Sequence, residues 1–411
     1  MMSVRLINLN ILFLLFAILI ISSLKSSELS IVFFNNLRLI LIVITFFLII
    51  ISFFKTSVNK KLLRQVLLLL FIIVYGISLN FINIKNHDLF INIDSIILIL
   101  YQFILTFFLL KIVTYYYNDL DNYNHFIFIF FLISTFIFFL LDGYNFKELK
   151  YNFDLTSGYQ ITYNIEKKIF GIETPYSINL TRVFFLALFT AFYLYKEING
   201  HIKLAKNILY LLTSLFFLFF AISGGGKGEV IFGLLILFFM FVSFEKKNFI
   251  ASAVFLSLAV LIINIFFENI IFFERLKLFL SGNYNYDYRL ELITLSFNLL
   301  YNEPKCLLFG CGFLFFQDYY GFNAGAYPHN LILEFIITYG LLISIYIFTL
   351  IFIGLKNIFF LKAKISLIDI FMIYFFLISF KSGSLFTLTT FPMIFYFISG
   401  HDFNFNSKFK I

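Results

Sequence analysis

Pro328 to Gly354 reads PHNLILEFIITYGLLISIYIFTLIFIG, and its only charged or readily titratable side chains are His329 and Glu334, both near its start. As an α-helix rising 1.5 Å per residue, Asn330 to Gly354 extends about 37 Å, enough to cross a ~30 Å hydrocarbon layer. Backbone N–H and C=O groups find no water there, and a helix pairs them internally. Comparable apolar blocks lie near 6–23, 39–54, 62–79, 96–117, 125–141, 180–195, 206–222, 229–244, 249–267, 366–381 and 385–400. The whole chain of 411 residues is 62% hydrophobic and 13% charged, with mean hydropathy +0.98. A soluble domain, roughly half apolar and a quarter charged, cannot hide that surplus. The expected fold is all-α: a polytopic transmembrane helical bundle of about twelve spans, forming one integral membrane domain over residues 1–411. The first block, Leu6 to Ser22, follows Arg5 but lacks a small-x-small cleavage site, so it is read as a retained span rather than a signal peptide.

Orientation follows from the basic residues. Lys55, Lys60, Lys61 and Arg64 share one short loop, and Lys196, Lys203, Lys206, Lys246, Lys247, Lys356, Lys362, Lys364, Lys408 and Lys410 fall on the same side. Short loops on the opposite side hold fewer: Lys25, Arg38, Lys85, Lys227 and Lys381. Positive charge marks the cytoplasmic side, which puts both termini inside. Two long loops, 142–179 and 268–329, then fall outside, the second being a large extracytoplasmic loop too short for its own core and expected to pack over the bundle as short helices. The formal net charge of +8 fits topology-setting lysines together with basic groups that face an anionic, lipid-linked substrate. Nucleic acid is a poor partner, because no basic run is interleaved with aromatics on a soluble face. The 66 Phe, with no Trp, fit a coding bias and are not read as a binding signature.

Polar residues gather in the large loop. Asp287-Tyr288-Arg289-Leu290-Glu291 opens an amphipathic run that Pro304 ends. Leu308-Phe309-Gly310-Cys311-Gly312 then looks like a tight turn needing glycine. Cys306 and Cys311 are either a disulfide or two packed thiols. His329 sits just before a helix N-terminus, where the positive end of the helix favours neutral imidazole, the form a general base requires. The plainer alternative makes it an interfacial residue with Asn330 as N-cap. Glu334, one turn on, is placed to orient the imidazole or to bind a sugar hydroxyl. Earlier in the chain, Ser223-Gly224-Gly225-Gly226-Lys227-Gly228-Glu229 offers backbone N–H groups and a lysine that suit phosphate, or else forms a simple hairpin. It is not a Walker A loop. Arg182 either binds phosphate or anchors its helix at the headgroups. No cluster has metal-ligand spacing, so neither metal nor other cofactor is expected.

In this order the motifs resemble the Wzy/WaaL superfamily of O-antigen polymerases and ligases. Gly226-Lys227-Gly228 is similar to that family's Ser-Arg-Gly turn, with lysine replacing the usual arginine. Arg289-Leu290-Glu291, Pro304 and Gly310-x-Gly312 resemble its Arg-Leu…Pro…Gly-x-Gly stretch. His329-Asn330-x-x-Leu333-Glu334, with Gly340 beyond, resembles its His-Asn motif. The resemblance implies a bacterial inner-membrane glycosyltransferase acting on undecaprenyl-diphosphate-linked oligosaccharide at the outer leaflet, with a chain-length regulator protein as a further partner. It implies His329 and Arg289 as catalytic, with Lys227, Arg182, Glu291, Asn330 and Glu334 binding substrate. The polymerase reading comes first. A ligase transferring finished glycan to lipid A core or another acceptor shares the motifs. A flippase or other transporter fits less well, since the spans lack mid-membrane polar groups and repeated halves.

Overall fold

The computed structural model describes residues 60–83, 102–111, 124–142, 167–169, 172–174, 178–197, 204–223, 227–244, 288–322, 327–360, 365–382 and 389–401, with residues 40, 44, 99, 384 and 385. The expected spans at 6–23 and 249–267, nearly all of that at 39–54, most of the loop 142–179, residues 268–287 and the turn 224–226 lie outside the described residues. The chain divides into two compact units. The first comprises Met1–Asn8, Ser52–Asn118 and Tyr286–Ile411; the second comprises Leu9–Ile51 and Asp119–Asn285. Among the described residues the regular structure is helical apart from one small antiparallel hairpin, β1 (Lys167–Ile169) and β2 (Ile172–Thr174), in which Lys167 faces Thr174.

The described helices in chain order are α1 (Lys60–Asn83), α2 (Gln102–Lys111), α3 (Asn124–Asp142), α4 (Ile178–Glu197), α5 (Leu204–Ser223) and α6 (Lys227–Phe244), followed by α7 (Tyr288–Asn302), α8 (Pro304–Phe309), α9 (Phe315–Tyr320), α10 (Leu331–Phe360), α11 (Leu367–Ser382) and α12 (Thr390–His401). In the second unit α4 is the centre. Every residue from Val183 to Leu194 is buried, as a helix apolar on all sides requires. α3, α5 and α6 pack around it, with Phe184 lying 5.4 Å, centroid to centroid, from Phe220. These neighbours turn apolar ridges outward: Phe126, Ile129, Ile133 and Phe136 on α3, and Leu209, Leu212 and Phe216 on α5.

In the first unit α10 and α11 are the axis. α10 runs six residues past the expected end at Gly354, since nothing in Leu355 to Phe360 breaks a helix. α11 begins with a reciprocal cap: Ser366 N–H and Oγ both donate to Asp369 Oδ2 at 2.7 Å, while Tyr396 OH of α12 donates to Asp369 Oδ1. Pairing with three donors makes this buried carboxylate tolerable. α12 starts at Thr390 rather than near 385, because residues 384 and 385 are committed elsewhere, as described below. α10 packs against α12 with Gly354 directly under the Phe397 carbonyl, an approach only a hydrogen side chain permits. Two helical stretches, Leu62–Asn83 and Leu331–Phe360, are long and apolar enough to cross a membrane.

Substituting Gly354→Leu should push α10 off α12. A loss of roughly 1–3 kcal/mol is expected from overpacking, read as a lower thermal midpoint of the detergent-purified protein. An unchanged midpoint would show that the contact is not close.

Candidate functional site in the first unit

α7 ends at Asn302, and Pro304 does more than stop it: it takes the first position of α8, where its missing N–H is no loss. α8 closes on Gly310, whose N–H donates to Cys306 O at 3.1 Å. Cys306 and Cys311 are joined as a disulfide, both fully buried, which settles the choice between a bond and two thiols. The Gly310-Cys311-Gly312 segment is not a tight turn. It lies along α10, where Cys311 N–H donates to Ile337 O at 2.7 Å and Gly312 N–H to Thr338 O at 3.0 Å.

Those carbonyls need outside donors because α10 leaves helical geometry at Gly340 (φ 81°, ψ 165°). A break of this kind strips the preceding turn of its partners. Gly310 has φ 85°, and the two glycines face each other: a Cβ on Gly310 would meet the Thr338–Gly340 backbone, and one on Gly340 would meet the Leu308–Gly310 backbone. Both positions therefore demand glycine twice, for conformation and for space. On the other side, Tyr75 OH of α1 donates to Phe309 O at 2.6 Å, and the Phe313 ring sits on Gly76. α9 is tied to α7 by Tyr320 OH donating to Leu295 O at 2.8 Å. Burial, with Tyr319 beside it, raises the Tyr320 phenol above its usual range and keeps it a protonated donor.

Above this seam stands the start of α10. Asn330 Oδ1 accepts from Ile332 N–H at 3.0 Å and Leu333 N–H at 3.2 Å, so Asn330 is the N-cap. His329, immediately before it, takes the left-handed conformation with φ 52°. For a residue with a Cβ that costs about 1–2 kcal/mol. Its ring lies against Tyr327, centroids 4.0 Å apart. Glu334 is buried, and its two oxygens accept from Ser384 Oγ and Leu385 N–H, each at 3.0 Å. Arg289 and half-buried Glu291 lie in the first turn of α7, which packs against α10.

The other two candidates belong to the second unit. Arg182 Nη2 is 3.0 Å from Glu229 Oε1, joining the first turns of α4 and α6, and Glu229 is fully buried. Lys227 is the first residue of α6. The structure thus groups His329, Asn330, Glu334, Arg289 and Glu291 in one unit, with Arg182 and Lys227 in the other. Sequence reasoning missed Glu229 as the arginine's partner, although a carboxylate in the first turn after the glycine run was a visible clue. It also missed Ser384, whose only local signal is the Ser382-Gly383-Ser384 break between the last two apolar blocks. Among the described residues no group of three or more His, Cys, Asp or Glu is placed to hold a metal ion. Comparison with protein-family models, curated proteins and solved structures finds no match to this chain.

The Arg182–Glu229 pair predicts a specific stability pattern. Arg182→Ala leaves a buried carboxylate uncompensated and should lower stability by roughly 3–5 kcal/mol, whereas the double change Arg182→Leu with Glu229→Leu should recover most of that. Denaturation of the purified variants measures both. Equal losses in the single and double variants would mean the pair is not what holds α4 to α6.

Proposed function

We propose that this chain is an integral membrane glycosyltransferase that polymerises lipid-diphosphate-linked oligosaccharide repeats at the outer leaflet of a bacterial cytoplasmic membrane, in the manner of the Wzy/WaaL superfamily it resembles. The observation that carries the reading is His329, held in a left-handed conformation beside Tyr327 at the capped start of α10. Left-handed conformations at residues with a Cβ concentrate at functional sites; of the two described here, Leu314 precedes α9 and the other is the histidine of the His-Asn motif. The glycine pair at 310 and 340, fixed by backbone contact, gives two further motif positions a physical reason to be glycine.

A membrane setting is supported by the two long apolar helices and by the outward apolar ridge on α1 formed by Leu63, Leu67, Leu70, Phe71 and Val74. Water penalises such a ridge and lipid does not. The disulfide supports an oxidising, extracytoplasmic location for the segment between α7 and α10.

In the proposed reaction a hydroxyl of the incoming lipid-linked repeat attacks the anomeric carbon of the growing glycan. The hydroxyl proton passes to a neutral ring nitrogen of His329. The bond from that carbon to the diphosphate oxygen breaks, and its electron pair leaves with the lipid diphosphate. Arg289, whose guanidinium suits phosphate bidentately, neutralises the leaving group. Glu291 faces the positive charge that develops on the sugar ring. Arg182 and Lys227, in the other unit, receive no step here, and Arg182 already has Glu229 as its ion-pair partner.

His329→Asn tests the base without disturbing the backbone, because asparagine tolerates the left-handed conformation. The variant should insert and fold normally while polymer synthesis falls about 10²- to 10⁴-fold, the usual contribution of a general base. Arg289→Ala should likewise leave single repeats on the surface lipid. Long glycan chains in both variants would overturn the assignment.

Gel analysis of a strain lacking the gene separates the two activities that share these motifs. One repeat on the lipid anchor is the expected polymerase result. Complete loss of glycan from the anchor would instead identify a ligase.

A further inference from the structure

Glu334 reads in the sequence as a side chain offered to substrate, yet it is buried and both its oxygens are occupied within the protein. Its partners come from the junction between α11 and α12, fifty residues downstream, where Ser384 Oγ and Leu385 N–H converge on it. The junction is held from the other side as well, since Thr390 Oγ1 at the start of α12 donates to Ser384 O at 2.6 Å. Upstream, Glu334 N–H donates to Asn330 O at 3.0 Å, and Asn330 caps the helix that His329 precedes. A continuous chain of hydrogen bonds therefore runs from α12 through Ser384 and Glu334 to the residue next to His329. A buried carboxylate that lost these donors would carry the full desolvation penalty, so the tie resists opening.

We infer that Glu334 and Ser384 are positioning residues: their buried hydrogen bond locks the first turn of α10 to the α11–α12 junction and thereby fixes where His329 presents its ring. The inference rests on the proposed function only for its kinetic consequence; the geometric part stands on the hydrogen bonds alone. A left-handed residue is held in place only by surroundings that over-determine it. The Tyr327 ring lies against His329, and the tie reaches its neighbour Asn330. Ser384 thus joins the candidate site as a residue the motifs do not include. Glu334 leaves the set of sugar ligands.

The test uses the full-length protein in lipid nanodiscs, with Ser384→Ala, Glu334→Gln, their combination, and Ser384→Thr, which keeps the hydroxyl. One readout needs no enzyme activity: the rate at which diethyl pyrocarbonate modifies His329, followed by peptide mass, together with amide exchange at Leu385 and across 330–334. Ser384→Ala and Glu334→Gln should each speed exchange about tenfold at these amides, as opening of a local unit does, and should change the His329 modification rate. The double variant should match the stronger single one, because both act through one bond. Ser384→Thr should restore native rates.

The second readout is the kinetics of repeat addition. Here kcat should fall roughly 10- to 100-fold, the size of effect expected from misplacing a reacting group by about 1 Å, with KM little changed. Native exchange and native His329 reactivity in both single variants would overturn the tie. A raised KM with unchanged kcat in Glu334→Gln would overturn it too, by making Glu334 a substrate ligand. If the wild-type protein adds no repeats while exchange and His329 reactivity respond as expected, the proposed function fails and the tie survives.

Discussion

The first unit depends on one repair: the break in α10 at Gly340 is made good by a segment from outside the helix. Interrupting a helix strands the carbonyls of the turn before the break, and each buried carbonyl left unsatisfied costs about 1–3 kcal/mol. Cys311 and Gly312 supply the missing N–H groups. They can approach only because Gly310 and Gly340 present bare backbone to each other, and the Cys306–Cys311 disulfide closes α8 onto the same seam. The stretch between α7 and α10 is therefore not a loop laid over a finished bundle. It completes the hydrogen bonding of α10, which would otherwise carry stranded polar groups at its kink. Tyr75 extends the dependence to α1 through Phe309 O, so three parts of the chain distant in sequence meet at this point.

How much of this could be read from the sequence follows from the range of the interaction concerned. The helices around α10 and α11 were legible, because apolar runs bounded by polar residues are local patterns. Asn330 as a cap was legible for the same reason, its bonds reaching only two and three residues on. Gly310-Cys311-Gly312 was legible as a place needing glycine but was misread as a turn. The reason for Gly310 is a helix some thirty residues later and that for Gly312 is α1 at Gly76 and Asn80, neither of which a local pattern reports. Pro304 was read as a stop and proved to be a start as well, since proline at the first helical position satisfies both readings.

Glu334 and Arg182 show the limit most sharply. Each reads as an unclaimed polar group in an apolar chain, and such groups invite assignment to a ligand. Their protein partners, Ser384 and Glu229, stand fifty and forty-seven residues away. A polar side chain in an apolar chain must be satisfied by something, and sequence cannot distinguish an internal partner from a substrate. The left-handed His329 was invisible for a related reason. A histidine before a capped helix start can adopt either sign of φ, and the choice is made by the fold around it.

In the proposed reaction, the division of labour between His329 and Asn330 links fold to chemistry. A helix start needs an acceptor for its first N–H groups. Were the histidine itself the cap, a ring nitrogen would spend its lone pair on the backbone and could not take a proton. Placing asparagine at the cap moves that duty one residue on. The strain of the left-handed His329, about 1–2 kcal/mol, is offset by bonds that already exist for other reasons: the two Asn330 cap bonds and the Glu334 tie to the α11–α12 junction. A His-Asn pair at a helix start is thus more than two polar residues side by side, because one of them satisfies the fold so that the other is not required to.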